Sequence, residues 1–294
     1  MRQEQINKNS NHKGIIGPKA DNAFARIAAP ELRTRVLLAH LADKVQKGAN
    51  LLLGEPLSYL YANAWRHNIP GAKTLEHLGM PRTIAAHIIG KTNLVVNIDP
   101  RTLVQFTMHP PGTVRKPAKS AFIWNGDWDL YRIDLRNDYA IKLIRDLDKH
   151  RNDLTKTDKY KELIQRIQSG KPFKSHQEGV FLNTPERVIE YLKVYLYFLD
   201  NMAANGYEYS RAKDHPGVAI SRDGRLLKTK RGAHRLAMAQ HLGMTSIPVE
   251  VRYVHKIWWN KITNEALDKT QTIESLRAAI QQAVPETEPG PLSP

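Results

Sequence analysis

Gly232-Ala233-His234-Arg235 places a glycine, a titratable imidazole and a guanidinium side by side, directly after Lys228, Lys230 and Arg231. Arginine offers a planar fork of donors matched to phosphate oxygens, and histidine adds a donor whose charge adjusts near neutrality. Lys228, Lys230, Arg231, Gly232, His234 and Arg235 are therefore the candidate phosphate-binding set. A second set is acidic. Asp127 and Asp129, within Asn125-Gly126-Asp127-Trp128-Asp129, could ligate magnesium, or one of them could act as general base toward a hydroxyl acceptor. The competing reading is a strand-end turn whose aspartates accept backbone hydrogen bonds while the tryptophans anchor it. With His234, these two aspartates are the candidate catalytic residues. No zinc-type spacing is present, and no metal-ligand set is assigned. His255 either reaches the phosphate site from a neighbouring strand end or is structural.

The elements that must position these groups can be read around them. Asp223-Gly224 between apolar runs signals a tight hairpin turn, because both residues tolerate the positive φ it needs. After the second strand comes Gly232, and Leu236, Ala239 and Leu242 then follow at helical spacing, with Gly243 placed as the helix stop. The order is strand, glycine turn, helix. A glycine lets the backbone approach a ligand closely, the first amides of the helix have no intrahelical partner, and the dipole there favours an anion. The alternative is an ordinary scaffold turn whose arginine pairs with a neighbouring carboxylate.

The run from Val188 to Met202 reads as a helix with Asn205-Gly206-Tyr207 as its exit, followed by the strand Val218-Ala219-Ile220 and, after the glycine turn, by Leu242-Gly243 and Ile247-Pro248-Val249. This passage, roughly 185–255 and about a quarter of the chain, resembles the ParB/sulfiredoxin superfamily. The resemblance implies that Gly232, His234 and Arg235 hold nucleotide phosphates, with ATP or CTP as cofactor and magnesium as its companion. Arg231 departs from the acidic residue that many Gly-x-His-Arg relatives carry before the glycine. Ala233 stands where sulfiredoxins carry their catalytic cysteine, and the chain has no cysteine at all, so sulfiredoxin chemistry is excluded. The Gly-Asp-Trp-Asp element also resembles one found in a group of proteins that end in a Gly-x-His-Arg module, a likeness that brings no activity with it.

The net charge of +15 is unevenly placed: residues 1–120 hold 17 Lys and Arg against 7 Asp and Glu. The surplus thus lies mostly outside the phosphate motif, as a field that attracts nucleic acid, an anionic membrane surface or phosphorylated substrates. Apolar runs are too short to cross a bilayer, the polar N-terminus lacks a secretory pattern, and the absence of cysteine suits a reducing cytoplasm, so a cytoplasmic protein is expected. Oligomeric state is not legible.

The fold class expected is α+β, a helical N-terminal region plus a small mixed-sheet ParB/sulfiredoxin-like C-terminal module. The segments are a disordered basic arm (1–20), a helical region (21–90), a central mixed α/β segment (91–184), the module (185–260), and a C-terminal helix and disordered tail (261–294). An amphipathic helix is expected from Pro30 to Gly48, strands at Asn93–Ile98 and Ala121–Trp124, and a last helix over about Asn264–Val284. Two functions fit these features. The first is a nucleotide or phosphosugar-binding protein that transfers or hydrolyses a phosphoryl group, because positioning and charge neutralisation suffice for that chemistry. The second is a ParB-like DNA-binding protein gripping backbone phosphates with its basic N-terminal half.

Overall fold

A computed structural model describes residues 54–107, 120–175, 179–209, 215–264 and 266–288, with isolated positions between 24 and 48. The basic arm lies outside the described residues. Of the helix expected from Pro30, the described positions between 34 and 48 are helical. The chain is α+β, built on a mixed seven-stranded sheet.

Helices α1 (Glu55–Arg66), α2 (Ala72–His77) and α3 (Arg82–Ile89) precede the first strand, β1 (Val95–Ile98). Then come β2 (Gln105–Thr107), β3 (Ile123–Trp124), β4 (Arg132–Asp134), α4 (Tyr139–Lys149), α5 (Asp158–Gln168) and the small hairpin β5 (Phe173–Ser175) and β6 (Val180–Leu182). The long helix α6 (Pro185–Asn205) leads into β7 (Gly217–Ile220), β8 (Leu226–Lys228), α7 (Ala233–His241), β9 (Ile247–His255), α8 (Lys256–Asn264) and α9 (Lys269–Gln281).

The strand order is β1-β9-β7-β8-β2-β4, with β3 running parallel beside the end of β9. β7 pairs antiparallel with β8 and parallel with β9. This central trio is why Val218, Ala219 and Ile220 are all buried: the sheet is covered on both faces, so alternation gives way to a continuous apolar run. Val218, Ile220, Leu226, Val249 and Val251 face the main core with Trp65, Ile84, Ile144, Leu236 and Leu276. Ala219, Leu227 and Tyr253 face the other way, onto Trp124 and Trp128. A second core, of Leu143, Leu147, Leu163, Val180, Leu182 and Leu192, joins α4, α5, the β5–β6 hairpin and the first half of α6.

The helices start where the sequence supplies caps. Asp138 accepts the amide of Ala140 at 2.8 Å to begin α4, Thr157 accepts that of Tyr160 at 3.1 Å to begin α5, and Thr184 with Pro185 begins α6. β9 ends at His255 and the chain turns at once into α8. One expectation is corrected here. The tail expected to be disordered from Pro285 is laid along β8 as far as Glu288: Leu226 donates to the Val284 carbonyl at 2.8 Å, Glu286 donates back to Leu226 at 3.0 Å, and Arg132 pairs with Glu286 at 2.5 Å. Leu226 lies beyond the reach of the short strand β2, so its outward amide and carbonyl need a partner, and the tail provides one. Among the described residues no helix is long and apolar enough to cross a membrane.

Candidate functional site

The turn from Thr229 to Gly232 links β8 to α7. Gly232 caps the helix in the left-handed region, at φ 68° and ψ 31°. A Cβ at this position would lie 2.6 Å from the Pro216 nitrogen and 2.8 Å from the His215 carbonyl carbon, so both conformation and space demand glycine. The turn is pinned to β7, where Gly217 donates to Arg231 at 3.1 Å and accepts from Thr229 at 2.9 Å. A Cβ on Gly217 would meet the Thr229 hydroxyl at 2.6 Å. The result is a rigid elbow at the start of α7, whose first amides have no partner within the helix.

Lys228 and its neighbours divide between two roles. Lys228 is only 1% exposed and points into the fold, its Nζ donating to the carbonyls of Thr229 and Arg231. It ties the elbow together from inside. Burial pushes its amine down to about 7, with Asp138 pulling the other way. Lys230 and Arg231 are exposed on the turn itself. Arg235 lies against the Tyr207 phenol, which burial pushes up to about 12 although the guanidinium beside it opposes the rise.

His234 faces a hollow of about 200 Å³ lined by Tyr139, Lys159, Leu163, Phe173, Tyr191 and Tyr195. Its ring lies 5.1 Å from that of Tyr195 and 6.5 Å from that of Tyr139. Its Nε2 is enclosed and has no hydrogen-bond partner among the described residues. Burial lowers its pKa, with Asp138 opposing and Lys159 assisting, which favours the neutral ring.

Asp127 and Asp129 do not join this site. They hold Arg222, which the sequence reading did not single out. Asp129, fully buried, accepts the Arg222 amide at 2.8 Å and its guanidinium at 2.8–3.1 Å, and the exposed Asp127 takes the same guanidinium at 2.8 Å. Burial pushes the Asp129 carboxyl up, and the Arg222 bonds outweigh it and hold it below the usual carboxylate range. Arg222 belongs to the β7–β8 hairpin turn, whereas the elbow lies at the opposite end of the same two strands. Asp127 and Asp129 thus lie with Arg222 at the hairpin end, with Trp128 buried between them, and the structure does not bring them to Gly232. His255 belongs to the same end, donating from Nε2 to Gly126 at 2.8 Å and accepting from Ile257 at 3.0 Å. It is structural, and it does not approach the elbow. Among the described residues no group of three or more His, Asp or Glu could hold a metal ion.

The sequence reading missed Tyr139, Lys159, Phe173, Tyr191 and Tyr195. The one signal for them was Tyr191 and Tyr195 at helical i, i+4 spacing, whose hydroxyls meet at 2.9 Å. The chain matches no family model, no curated protein and no solved structure.

Proposed function

We propose that the protein binds a small phosphate-bearing molecule, a nucleotide or a phosphosugar, at the first turn of α7. The observation that carries this reading is the elbow at Gly232: a left-handed cap with no room for a side chain, braced by Gly217 and Lys228, ahead of a helix whose first amides are left for an anion. Arg231 and Arg235 flank it and add positive field. ATP and CTP belong to this ligand class, with magnesium carried on the nucleotide.

For phosphoryl transfer or nucleotide hydrolysis, the separation of Asp127 and Asp129 leaves His234 as the titratable side chain on the elbow itself. Its lowered pKa makes it a proton acceptor at neutral pH. Its ring would take a proton from an attacking hydroxyl or water at the enclosed Nε2, while the α7 amides and Arg235 neutralise the phosphate oxygens.

The test is titration calorimetry with inorganic phosphate, ATP, CTP and hexose phosphates, with and without magnesium. Arg235→Ala is expected to weaken binding at least tenfold while leaving the circular dichroism spectrum unchanged. Equal binding by this variant and the wild type refutes the assignment. So does binding confined to duplex DNA with a steep salt dependence, which is the outcome expected of a nucleic-acid-binding protein.

A further inference from the structure

The hollow beside His234 is built from elements that the elbow does not require: α4, α5, β5 and α6. Its walls are flat and apolar where Phe173, Tyr191 and Tyr195 stand, with Phe173 and Tyr191 centroids 6.0 Å apart and those of Tyr191 and Tyr195 5.3 Å apart. Its polar atoms are held in place. Tyr191 and Tyr195 join hydroxyls at 2.9 Å, and Lys159 stands over the Tyr139 ring at 5.1 Å with its ammonium fixed by Glu162 at 2.7 Å. Nε2 of His234 is enclosed with no hydrogen-bond partner among the described residues, and leaving such an atom unpaired is costly. A core that only needed filling would have placed leucine at these positions. Here a basic amine, an imidazole and three phenols line one space.

We infer that this hollow receives the ring of a monosaccharide phosphate whose phosphate sits on the first turn of α7, an inference that rests on the phosphate-binding reading above. His234 links the two halves, since its backbone amide belongs to the elbow and its side chain lines the hollow. Size sets the class. A space of about 200 Å³ holds roughly six or seven water volumes, which matches one pyranose of about a dozen heavy atoms. A base with its ribose is about one and a half times that size. Chemistry points the same way. A pyranose presents apolar C–H faces to aromatic walls and a rim of hydroxyls, each able to donate and to accept, to phenols, an ammonium and an imidazole nitrogen. Lys159 and the Tyr191–Tyr195 pair serve as specificity determinants, because they meet ring hydroxyls and not phosphate.

The experiment measures the affinities of inorganic phosphate, the 1- and 6-phosphates of glucose, mannose and galactose, ATP and CTP for the full chain and for two conservative variants, Tyr195→Phe and Lys159→Gln. At least one hexose phosphate is expected to bind ten times or more tightly than inorganic phosphate. Both variants are expected to lose most of that advantage while binding inorganic phosphate as the wild type does. Equal affinities for phosphate and every hexose phosphate overturn the ring site and leave the phosphate site standing. A nucleotide preference abolished by the same two variants overturns the single-ring assignment. Absence of binding by every compound, inorganic phosphate included, overturns the phosphate reading on which the inference rests.

Discussion

Lys228→Met tests the interior of the elbow. In the wild type the amine is buried, donates to two turn carbonyls and titrates at about 7 against an ordinary 10.5. A neutral amine has two N–H donors, the number that the two carbonyls can use. Because the folded-state pKa lies below the unfolded one, the unfolded chain holds a proton that the folded chain lacks across that window. Stability therefore rises with pH from about 7 to about 10, and the contribution is flat below and above. Integrating that linkage between pH 7 and pH 9 gives a gain of about 2 kcal/mol for this group alone. Methionine keeps the volume and removes the titration. Urea denaturation of both proteins at half-unit pH steps is the assay, and the difference between the curves cancels all other titrating groups. The wild type is expected to gain about 2 kcal/mol on the variant between pH 7 and pH 9. At pH 9 the variant is the weaker of the two, because two carbonyls have lost their donors. Parallel curves across this range refute the reasoning. The same linkage predicts that an anion bound at the elbow raises the Lys228 pKa, so phosphate binding at pH 8 takes up protons.

Three further perturbations separate scaffold from site. Gly232→Ala forces a side chain into the backbone of His215 and Pro216 and holds it at positive φ; a loss of roughly 2–4 kcal/mol by urea denaturation is expected, together with loss of phosphate binding. Asp129→Asn strips the charge from a buried partner of Arg222; it should cost about 3 kcal/mol in the same assay while phosphate affinity by calorimetry stays within twofold of wild type. Truncation after Ala283 removes the strip that pairs with Leu226 and the Arg132–Glu286 ion pair; a loss of about 1–3 kcal/mol, read as a lower melting temperature, is expected from two backbone hydrogen bonds and a half-buried guanidinium that keeps only the more distant Asp223 carboxylate, at 3.6 Å.

Local chemistry was legible wherever one stretch of chain carried it whole. Asp223-Gly224 announced the β7–β8 hairpin, Gly232 announced the start of α7, and Gly243 its end. These signals are backbone requirements of single residues, so they survive any tertiary context. What the sequence could not convey was direction. Lys228 looks the same on paper as Lys230, yet strand alternation sends Lys228 inward with Leu226 and leaves Lys230 on the exposed turn. Asp127 and Asp129 carry the chemistry of a magnesium or general-base pair, and only the pairing of β3 with the end of β9 brings them to Arg222. The hollow gathers residues between 139 and 234, and no pattern of spacing could have assembled them. The tail misled for a different reason: its proline-rich, acidic composition signals disorder, and an unpaired stretch of β8 overrode it.

The two ends of the β7–β8 pair differ in how completely their polar groups are matched, and this difference argues for where function resides. At the hairpin end, Arg222 is met by two carboxylates, His255 by a carbonyl on one nitrogen and an amide on the other, and Ser221 by Asp223 and Arg225. Each of these polar groups has a protein partner, and the apolar side is closed by Trp128 packed 5.0 Å from Tyr253. At the elbow, an imidazole nitrogen is enclosed without a partner, a lysine is held near neutrality by burial, and an aromatic hollow stands open beside a helix start. The charged groups of the first end pair with one another, whereas at the second the imidazole nitrogen of His234 does not, within the same small unit. A stable fold tolerates such breaches where binding needs them, since a ligand can satisfy what the protein leaves unpaired.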